Sequence, residues 1–265
     1  METRNDLLLL NDTKSLGLFT VTGHFPYERV RNFSTTPSLV EMTKKTLEML
    51  AKNEKGFFLM VEGGRIDHAG HENNLVNNIL ETIAFHEAAA EAITFSMTHA
   101  NTLFISTSDH ETGGLTVLSH SLNKTLPSAR QTEEEKRDLR LLRAGNISAV
   151  WETTGHTDQE IGFYGYGVDF FGYTNGSKIE NTDIFHIMNK FIMDKRSLNT
   201  SPTSTATSIS SNIDSITTAS FGKNIDSTTI PATGSLSGVE LIGAFGALTL
   251  TGSSFLRLKC RRNNQ

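Results

Sequence analysis

Apolar residues recur along the chain at two spacings, which predict alternating helices and strands. In TTPSLVEMTKKTLEMLAKN, from Thr35, leucine and methionine recur near the helical period, which predicts an amphipathic helix with Thr36 as N-cap and Pro37 at its first position. Gly56 ends that pattern. The run FFLMVE follows, and its unbroken apolar character is typical of a short strand buried between helices in a parallel sheet.

The same alternation continues beyond this strand. LVNNILETIAFHEAAAEAITFSMTH, from Leu75 to His99, is rich in alanine and free of glycine and proline, which predicts a long helix. NTLFISTSD and IGFYGYG predict two further strands, and NTDIFHIMNKFIMDK predicts a closing helix capped by Asn181 or Thr182. This order predicts an α/β fold in which a parallel sheet is flanked by helices and joined by right-handed crossovers.

Composition divides the chain into three regions. Residues 1–196 carry the alternating pattern, and their polar segment QTEEEKRDLRLLR predicts a solvated helix or an excursion outside the sheet. Serine and threonine dominate residues 197–235, which predicts a disordered or O-glycosylated stalk. Residues 236–265 are weakly apolar with a basic end, a pattern that fits a membrane span, a lipid-anchor signal, or an amphipathic or disordered end.

Charge and cysteine content restrict the partners and the metal ligands that this protein can have. The 265 residues are 37% apolar, enough for a core, and the net charge of -5 with scattered Lys and Arg argues against nucleic acid as a partner. The single cysteine, Cys260, lies near the C-terminus, so an internal disulfide and thiolate metal ligands in the folded part are excluded. Any metal must be held by histidine and carboxylate.

Glycosylation signals indicate the secretory pathway. The N-terminal run of four leucines is too short for a secretory signal, so a signal peptide is not visible and we expect the chain to be incomplete at its N-terminus. Asn-x-Ser/Thr acceptors are nevertheless frequent, and they predict a glycoprotein on the extracellular face of the cell surface or plasma membrane. They stand at Asn11, Asn32, Asn123, Asn146, Asn175 and Asn199.

Potential metal ligands cluster after the predicted strands. Glu62 ends FFLMVE and is followed by an Asp67 to His71 loop; Asp109 and His110 end NTLFISTSDH, and His156 lies in TTGHT. Sites in α/β sheets form where such loops converge. The mixture of nitrogen and oxygen donors suits zinc, and the carboxylate of Glu62 also suits magnesium, although spacing alone leaves hydrogen-bonded loops as an equal alternative.

Three motifs in one order, FFLMVEGGRIDHAGH, TSDHETGGL and TTGHT, resemble the C-terminal half of an alkaline phosphatase, from LGLF at Leu16 to NTDIFHIM near Met188. The resemblance makes residues 1–196 the C-terminal portion of that domain. It implies phosphate monoester hydrolysis with two zinc ions and one magnesium ion, and a homodimer for the complete enzyme. It assigns Asp67, His71 and His156 to the zinc that holds the phosphate ester, Asp109 and His110 to the zinc that activates a serine, and Glu62 to magnesium.

Neighbouring residues receive lesser roles. The resemblance places His68 near the phosphate. Glu111 and Thr112 are expected to shape the loop after the Asp-His pair. The remaining candidates are interpreted as helix-surface residues or as residues that support the ligands, namely Glu72, Glu81, His86 and His99.

The family's nucleophile has no counterpart in this sequence. It is a serine in an Asp-Ser-Ala motif, and the Asp-Ser pairs here, Asp214-Ser215 and Asp226-Ser227, lie in the predicted stalk. We therefore expect this chain to be inactive on its own. The alternatives are a non-catalytic cell-surface glycoprotein that binds metal or phosphate, and a relative within the wider superfamily of sulfatases and metal-dependent mutases.

Overall fold

A computed structural model describes residues 1–12, 14–21, 23–120, 132–167, 177–199 and 256–261. Its helices are α1 (Arg4–Leu8), α2 (Leu39–Leu50), α3 (Arg65–His71), α4 (Leu75–Thr98), α5 (Glu133–Ala144) and α6 (Asn181–Asn199). Its strands are β1 (Phe104–Ser106), β2 (Glu111–Thr112), β3 (Thr116–His120), β4 (Ile147–Val150), β5 (His156–Thr157), β6 (Ile161–Tyr166), β7 (Lys178–Glu180) and β8 (Leu256–Arg261).

The long helix α4 organises the helical part of the molecule, and it confirms the helix predicted from Leu75. It packs against α2, α3 and α5. Its first turn is capped by the Asn74 side chain, which accepts a hydrogen bond from the backbone N–H of Asn77. Because α3 ends just before α4 begins, this packing fixes the short helix that carries two of the predicted ligands.

Helix α2 is present, but its predicted cap is wrong. The N-cap is Ser38, whose Oγ accepts from the Glu41 N–H at 3.1 Å, while the Glu41 carboxylate accepts from the Ser38 N–H at 2.9 Å. This reciprocal pair satisfies two N–H groups that the first helical turn would otherwise leave unpaired. Thr36, the predicted cap, lies two residues before this N-cap, and Pro37, the predicted first helical residue, also precedes it.

The described strands form three separate sheets with mostly antiparallel pairing, which corrects the predicted parallel arrangement. Strands β1 to β6 form three nested antiparallel pairs: β1 with β6, β2 with β5, and β3 with β4. The chain therefore runs outward from Phe104, reverses between β3 and β4, and returns alongside itself to Tyr166. A parallel pair needs a crossover that carries the chain back to the same end, whereas antiparallel partners such as these run in opposite directions and need none. The pairing of β7 with β8 is parallel.

The predicted strand FFLMVE is also wrong for the part of the chain that the structure describes. Its residues belong to no helix or strand, because no described strand pairs with them and a strand exists only where a neighbour supplies its hydrogen-bond partners. Phe58 and Met60 are consequently 67% and 68% exposed. The segment still leads the chain into α3.

Two small clusters form the core. Phe163, Ile179 and Ile187 join the sheet to α6, and Ile79, Ala144 and Ile147 join α4 to α5 and β4. These clusters hold both ends of the nested strands against the helices. The outermost pair, β1 with β6, is therefore anchored on buried apolar side chains.

The C-terminal predictions meet the structure in part. The predicted closing helix is present as α6, but Asn181 and Thr182, predicted as its cap, are its first two helical residues; it runs to Asn199, past residue 196. The rest of the predicted stalk lies outside the described residues, and so does the final segment except for β8. Within the described part of the chain, no helix combines the length and the hydrophobicity that crossing a bilayer requires.

Candidate metal centre

Helix α3 presents two of the predicted ligands together. Asp67 and His71 are four residues apart, so they lie on the same face of the helix, one turn from each other. His71 Nε2 is 3.4 Å from Asp67 Oδ1. The sequence RIDHAGH therefore brings a carboxylate and an imidazole together within a single helix.

The nested strands bring the remaining ligands to this helix. Strand β2 pairs with β5 so that Thr112 is opposite His156, although the two residues are far apart in sequence. The turn after β2 needs a left-handed backbone at Gly113 (φ 95°), whose N–H donates to Gly155 O at 2.9 Å. The predicted role of Glu111 in shaping this loop fits its contacts, because its carboxylate accepts from the Gly114 N–H at 3.0 Å and from the Thr157 hydroxyl.

His71 is held with its lone pair towards the other ligands. The Thr154 carbonyl lies 2.5 Å from His71 Nδ1, and a carbonyl only accepts, so Nδ1 carries the proton and Nε2 is left as an acceptor. That Nε2 lies 3.2 Å from His156 Nε2, which in turn is 3.7 Å from Asp67 Oδ1. A proton on His156, or a metal ion among the three atoms, satisfies this group of acceptors.

His110 is oriented by Thr112 in the same way. Thr112 Oγ1 donates to Asp67 Oδ1 at 2.6 Å, so towards His110 Nδ1, at 3.2 Å, it acts as an acceptor. The Nδ1–H tautomer leaves the His110 Nε2 lone pair 3.2 Å from Asp109 Oδ2. Hydrogen bonds of this kind, from the far ring nitrogen of a histidine, orient metal ligands in proteins.

Two sets of ligand atoms converge on Asp67 and His156. Asp67 Oδ1, His71 Nε2 and His156 Nε2 lie 3.4, 3.2 and 3.7 Å apart. Asp67, His110 and His156 also each offer one ligand atom, and these atoms lie within 4.8 Å of one another. The rings of His110 and His156 stack with centroids 3.5 Å apart. Two imidazoles and a carboxylate are a donor set that zinc accepts, so the residues present fit a zinc ion.

The other two predicted ligands lie outside this group. Asp109 is 82% exposed, whereas the His110 side chain is only 13% exposed. Glu62, predicted to bind magnesium, is exposed at the end of FFLMVE. The structure thus brings together Asp67, His71, His110 and His156, and leaves Asp109 and Glu62 at its edge.

His68 contacts different partners. The Arg65 guanidinium donates to His68 Nδ1 at 3.1 Å, and the His24 ring meets the His68 ring edge-on at 4.5 Å. Arg65 also donates to the Phe25 carbonyl at 2.6 Å. Sequence reasoning missed Arg65, although its spacing of three residues from His68 on one helix was a usable signal. It also missed His24, for which the sequence gives no local signal.

Tyr27 and Glu28 are anchored by two acidic residues, Glu72 directly after α3 and Glu81 on α4. Glu81, on α4, is buried and accepts from the Glu28 N–H at 2.6 Å, and burial raises the pKa of its carboxyl to about 7. Tyr27 donates to Glu72 at 2.8 Å, and burial raises the pKa of Tyr27 to about 12. Glu81 is therefore a buried anchor and not a helix-surface residue.

Comparison with known proteins gives a consistent family. The family model for alkaline phosphatase matches residues 1–146. Alkaline phosphatase 3 of Bacillus subtilis is 28% identical over 69% of this chain and 50% of its own length. The repressible alkaline phosphatase of Saccharomyces cerevisiae is 43% identical over 42% of this chain and 21% of its own length. A cold-active alkaline phosphatase from Shewanella sp. superimposes with a TM-score of 0.50, at 22% identity over 71% of this chain and 57% of that one.

The fold and the histidine and carboxylate cluster define a mixed α/β protein with a candidate metal centre. The chain belongs to the alkaline phosphatase family, because the family model covers more than half of its residues. It spans about half, or less, of the length of the curated relatives described above.

Proposed function

We propose that this chain contributes the metal ligands to a zinc- and magnesium-dependent centre that hydrolyses phosphate monoesters. Family membership supports this reaction class. The observation that carries the proposal is the convergence of ligand atoms from α3, the loop before β2, and β5, in which hydrogen bonds to Thr154 and Thr112 hold the rings of His71 and His110 in place.

The proposed roles follow the family's assignment. Asp67, His71 and His156 hold a zinc ion beside the phosphate ester, Asp109 and His110 belong to a second zinc, and Glu62 serves a magnesium ion. Bound zinc would polarise the phosphoryl group and lower the pKa of a coordinated water. The residues of this chain position those ions: Thr112 orients His110 and Asp67, and Thr154 orients His71.

The polypeptide as it stands is proposed to be inactive. Phosphoryl transfer by this route needs a rigidly placed serine next to a metal, and the Asp-Ser pairs of the sequence lie in the serine- and threonine-rich region. Purified chain supplied with zinc and magnesium should not hydrolyse a chromogenic phosphate monoester at alkaline pH. Turnover that disappears in Asp67→Ala and persists in His99→Gln, a histidine outside the centre, would refute the proposed inactivity.

A chimera tests the reaction itself. Residues 1–146 replace the matching region of Bacillus subtilis alkaline phosphatase 3, which keeps the rest of its own domain. The chimera should hydrolyse the phosphate ester in a zinc-dependent way, and Asp67→Ala in the chimera should abolish that activity. A folded chimera that binds zinc but has no activity would count against the proposed function.

A second candidate is a non-catalytic surface glycoprotein that binds metal or phosphate. The observation that favours it is the exposure of the acceptor asparagines Asn11, Asn32 and Asn146, each within reach of a glycosyltransferase. The other acceptors lie at or beyond the edge of the described residues. Expression in a secretory host should yield peptides glycosylated at Asn32 and Asn146; an unmodified secreted product would remove this support.

Location and assembly complete the proposal. We place the protein at the outer face of the plasma membrane, held through its C-terminal segment, and the complete enzyme as a homodimer. Cell-surface labelling of the tagged full-length gene product tests the location, and removal of residues 236–265 should release it into the medium.

A further inference from the structure

We propose that Arg65 is a positioning residue: it fixes the proton of the His68 ring on Nε2, and this makes His68 a hydrogen-bond donor to the phosphate ester. The family resemblance places His68 near the phosphate and gives Arg65 no role. The inference rests on the proposed function only for the identity of the anion, because the contact between Arg65 and His68 is a property of helix α3 itself.

The tautomer of His68 follows from its contact with Arg65. Arg65 Nη1 lies 3.1 Å from His68 Nδ1. A guanidinium carries only donors, so Nδ1 accepts and the proton of the neutral ring is on Nε2. The His68 side chain is half-buried, and no hydrogen bond among the described residues engages its Nε2. This N–H group is therefore available to a ligand.

The Arg65 guanidinium is itself held by its surroundings. Its Nε donates to the Phe25 carbonyl at 2.6 Å, and its central carbon lies 4.2 Å from the centre of the Tyr27 ring. The Tyr27 hydroxyl donates to Glu72 at 2.8 Å, which fixes that ring in turn. A planar guanidinium that stacks on a ring and donates in two directions has little freedom left. Arg65 can therefore hold the histidine that lies three residues further along α3.

His24 restricts the His68 ring from a second element. The two ring centroids are 4.5 Å apart, with an angle of 78° between the planes. Because Arg65 holds one ring nitrogen and His24 meets the ring edge-on, His68 is ordered before a ligand binds. A donor that is already ordered loses less conformational entropy on binding.

His71, on the same helix, is held in the opposite tautomer. The Thr154 carbonyl lies 2.5 Å from His71 Nδ1, so His71 keeps its proton on Nδ1 and leaves a lone pair on Nε2. A metal ion binds a lone pair, whereas an anion needs an N–H donor. The positive charge of Arg65 also favours an anion beside His68. Helix α3 thus supplies one histidine suited to a metal and one suited to an anion.

Nuclear magnetic resonance tests the tautomers directly. A long-range proton–nitrogen correlation spectrum of the nitrogen-15-labelled full chain, without metal and at alkaline pH, reports which ring nitrogen of each histidine carries the proton. His68 should be in the Nε2–H form and His71 in the Nδ1–H form. His68→Gln and His71→Gln assign the signals by their loss. His68 in the Nδ1–H form would overturn the inference and leave the proposed function standing.

Phosphate affinity tests the role of the pair. Inorganic phosphate is titrated into the zinc-loaded full chain, and equilibrium dialysis measures the zinc content. His68→Phe keeps a ring without its nitrogens, and Arg65→Met keeps an unbranched stem without its donors. Each should weaken phosphate binding by roughly tenfold or more, the usual effect of losing a charge-assisted hydrogen bond, with the zinc content unchanged. Arg29→Met removes an exposed arginine and should change the affinity by less than about twofold.

The double variant shows whether Arg65 acts through His68. If it does, Arg65→Met combined with His68→Phe weakens phosphate binding no further than His68→Phe alone. His68→Gln keeps an acceptor for Arg65 and an N–H donor, so it should retain most of the affinity. Additive losses would mean that Arg65 contacts phosphate itself, and they would overturn the inference, as would unchanged affinity in His68→Phe. Failure of the unmodified chain to bind zinc would overturn the proposed function and not the tautomer assignment, which the metal-free spectrum tests separately.

Discussion

Single hydrogen bonds set the chemical state of the ligands in this protein. Thr112 shows this most clearly, because one hydroxyl both donates to Asp67 and accepts from His110. Thr112 lies on β2 opposite His156, so the backbone pairing of β2 with β5 fixes the position of its side chain. The side chain then decides which nitrogen of His110 is available to a metal.

Replacing Thr112 with valine should weaken zinc binding. Valine keeps the shape of threonine but neither donates to Asp67 nor accepts from His110, so the orientation of both ligands is lost. The dissociation constant for zinc should rise about tenfold or more, the usual effect of losing such a supporting contact. Thr112→Ser retains the hydroxyl and is the matched control. Equal affinities for the valine and serine variants would show that the hydroxyl does not position these ligands.

Glu81 makes the stability of the fold depend on pH. Burial raises the pKa of its carboxyl from 4.5 to about 7, so the folded state favours the neutral form. This contribution to the free energy of unfolding is fully present below pH 4.5 and is lost as the pH rises through about 7.

Glu81→Gln should therefore become relatively more stable than the unmodified chain as the pH rises. Glutamine cannot ionise, yet its carbonyl can still accept from the Glu28 N–H. Between pH 5 and pH 8 the difference in unfolding free energy should move in favour of the variant by up to about 3 kcal/mol. Urea denaturation at several pH values measures it, with the exposed Glu54→Gln as control. Parallel pH profiles for Glu81→Gln and the unmodified chain would contradict this assignment.

At the scale of elements, the helices owe their positions to local signals. Helix α2 begins where Ser38 and Glu41 satisfy each other's backbone N–H groups. Thr36 and Ser38 are both residues that can cap a helix, and a proline separates them. Glu41 favours Ser38, because its carboxylate can accept a hydrogen bond from the backbone N–H of a cap three residues earlier.

Substitution distinguishes the two caps. Ser38→Ala should lower the free energy of unfolding by about 1 kcal/mol, because an N–H of the first turn loses its acceptor. Thr36→Ala should change it by less than about 0.5 kcal/mol, as for other substitutions outside such features. Urea midpoints at neutral pH compare the two variants directly. A larger loss for Thr36→Ala would restore the cap predicted from the sequence.

The helices and the grouping of histidine and carboxylate side chains were predictable from the sequence, and strand pairing was not. The periodicity that marks α4 and the start of α6 at Asn181 is contained within a few turns of chain. An apolar run such as FFLMVE indicates that a segment tends to be buried. It does not indicate which strand the segment pairs with or in which direction, because pairing depends on distant residues. The nesting of β1 to β6 has no local signal. It is nevertheless what brings His156 to Asp67, so the motifs predicted the members of the centre and not their distances.

At the scale of the whole molecule, residues 57–62 expose large apolar side chains shortly before helix α3. Phe58 and Met60 are both about two-thirds exposed. The segment is apolar and pairs with no described strand, which are the properties of a segment that can add to a strand of another copy.

We expect this segment to drive self-association of the chain. Adding a charge to each exposed apolar position makes edge-to-edge pairing costly, because the charges of neighbouring copies would be brought together without solvent. The double variant Phe58→Lys with Met60→Lys should therefore have a lower weight-average mass in sedimentation than the unmodified chain at the same concentration. Phe185→Lys is the matched control, since Phe185 is 62% exposed but lies on helix α6, whose backbone groups are already paired. If Phe185→Lys lowered the mass as much as the double variant, general surface hydrophobicity and not the open segment would be the cause.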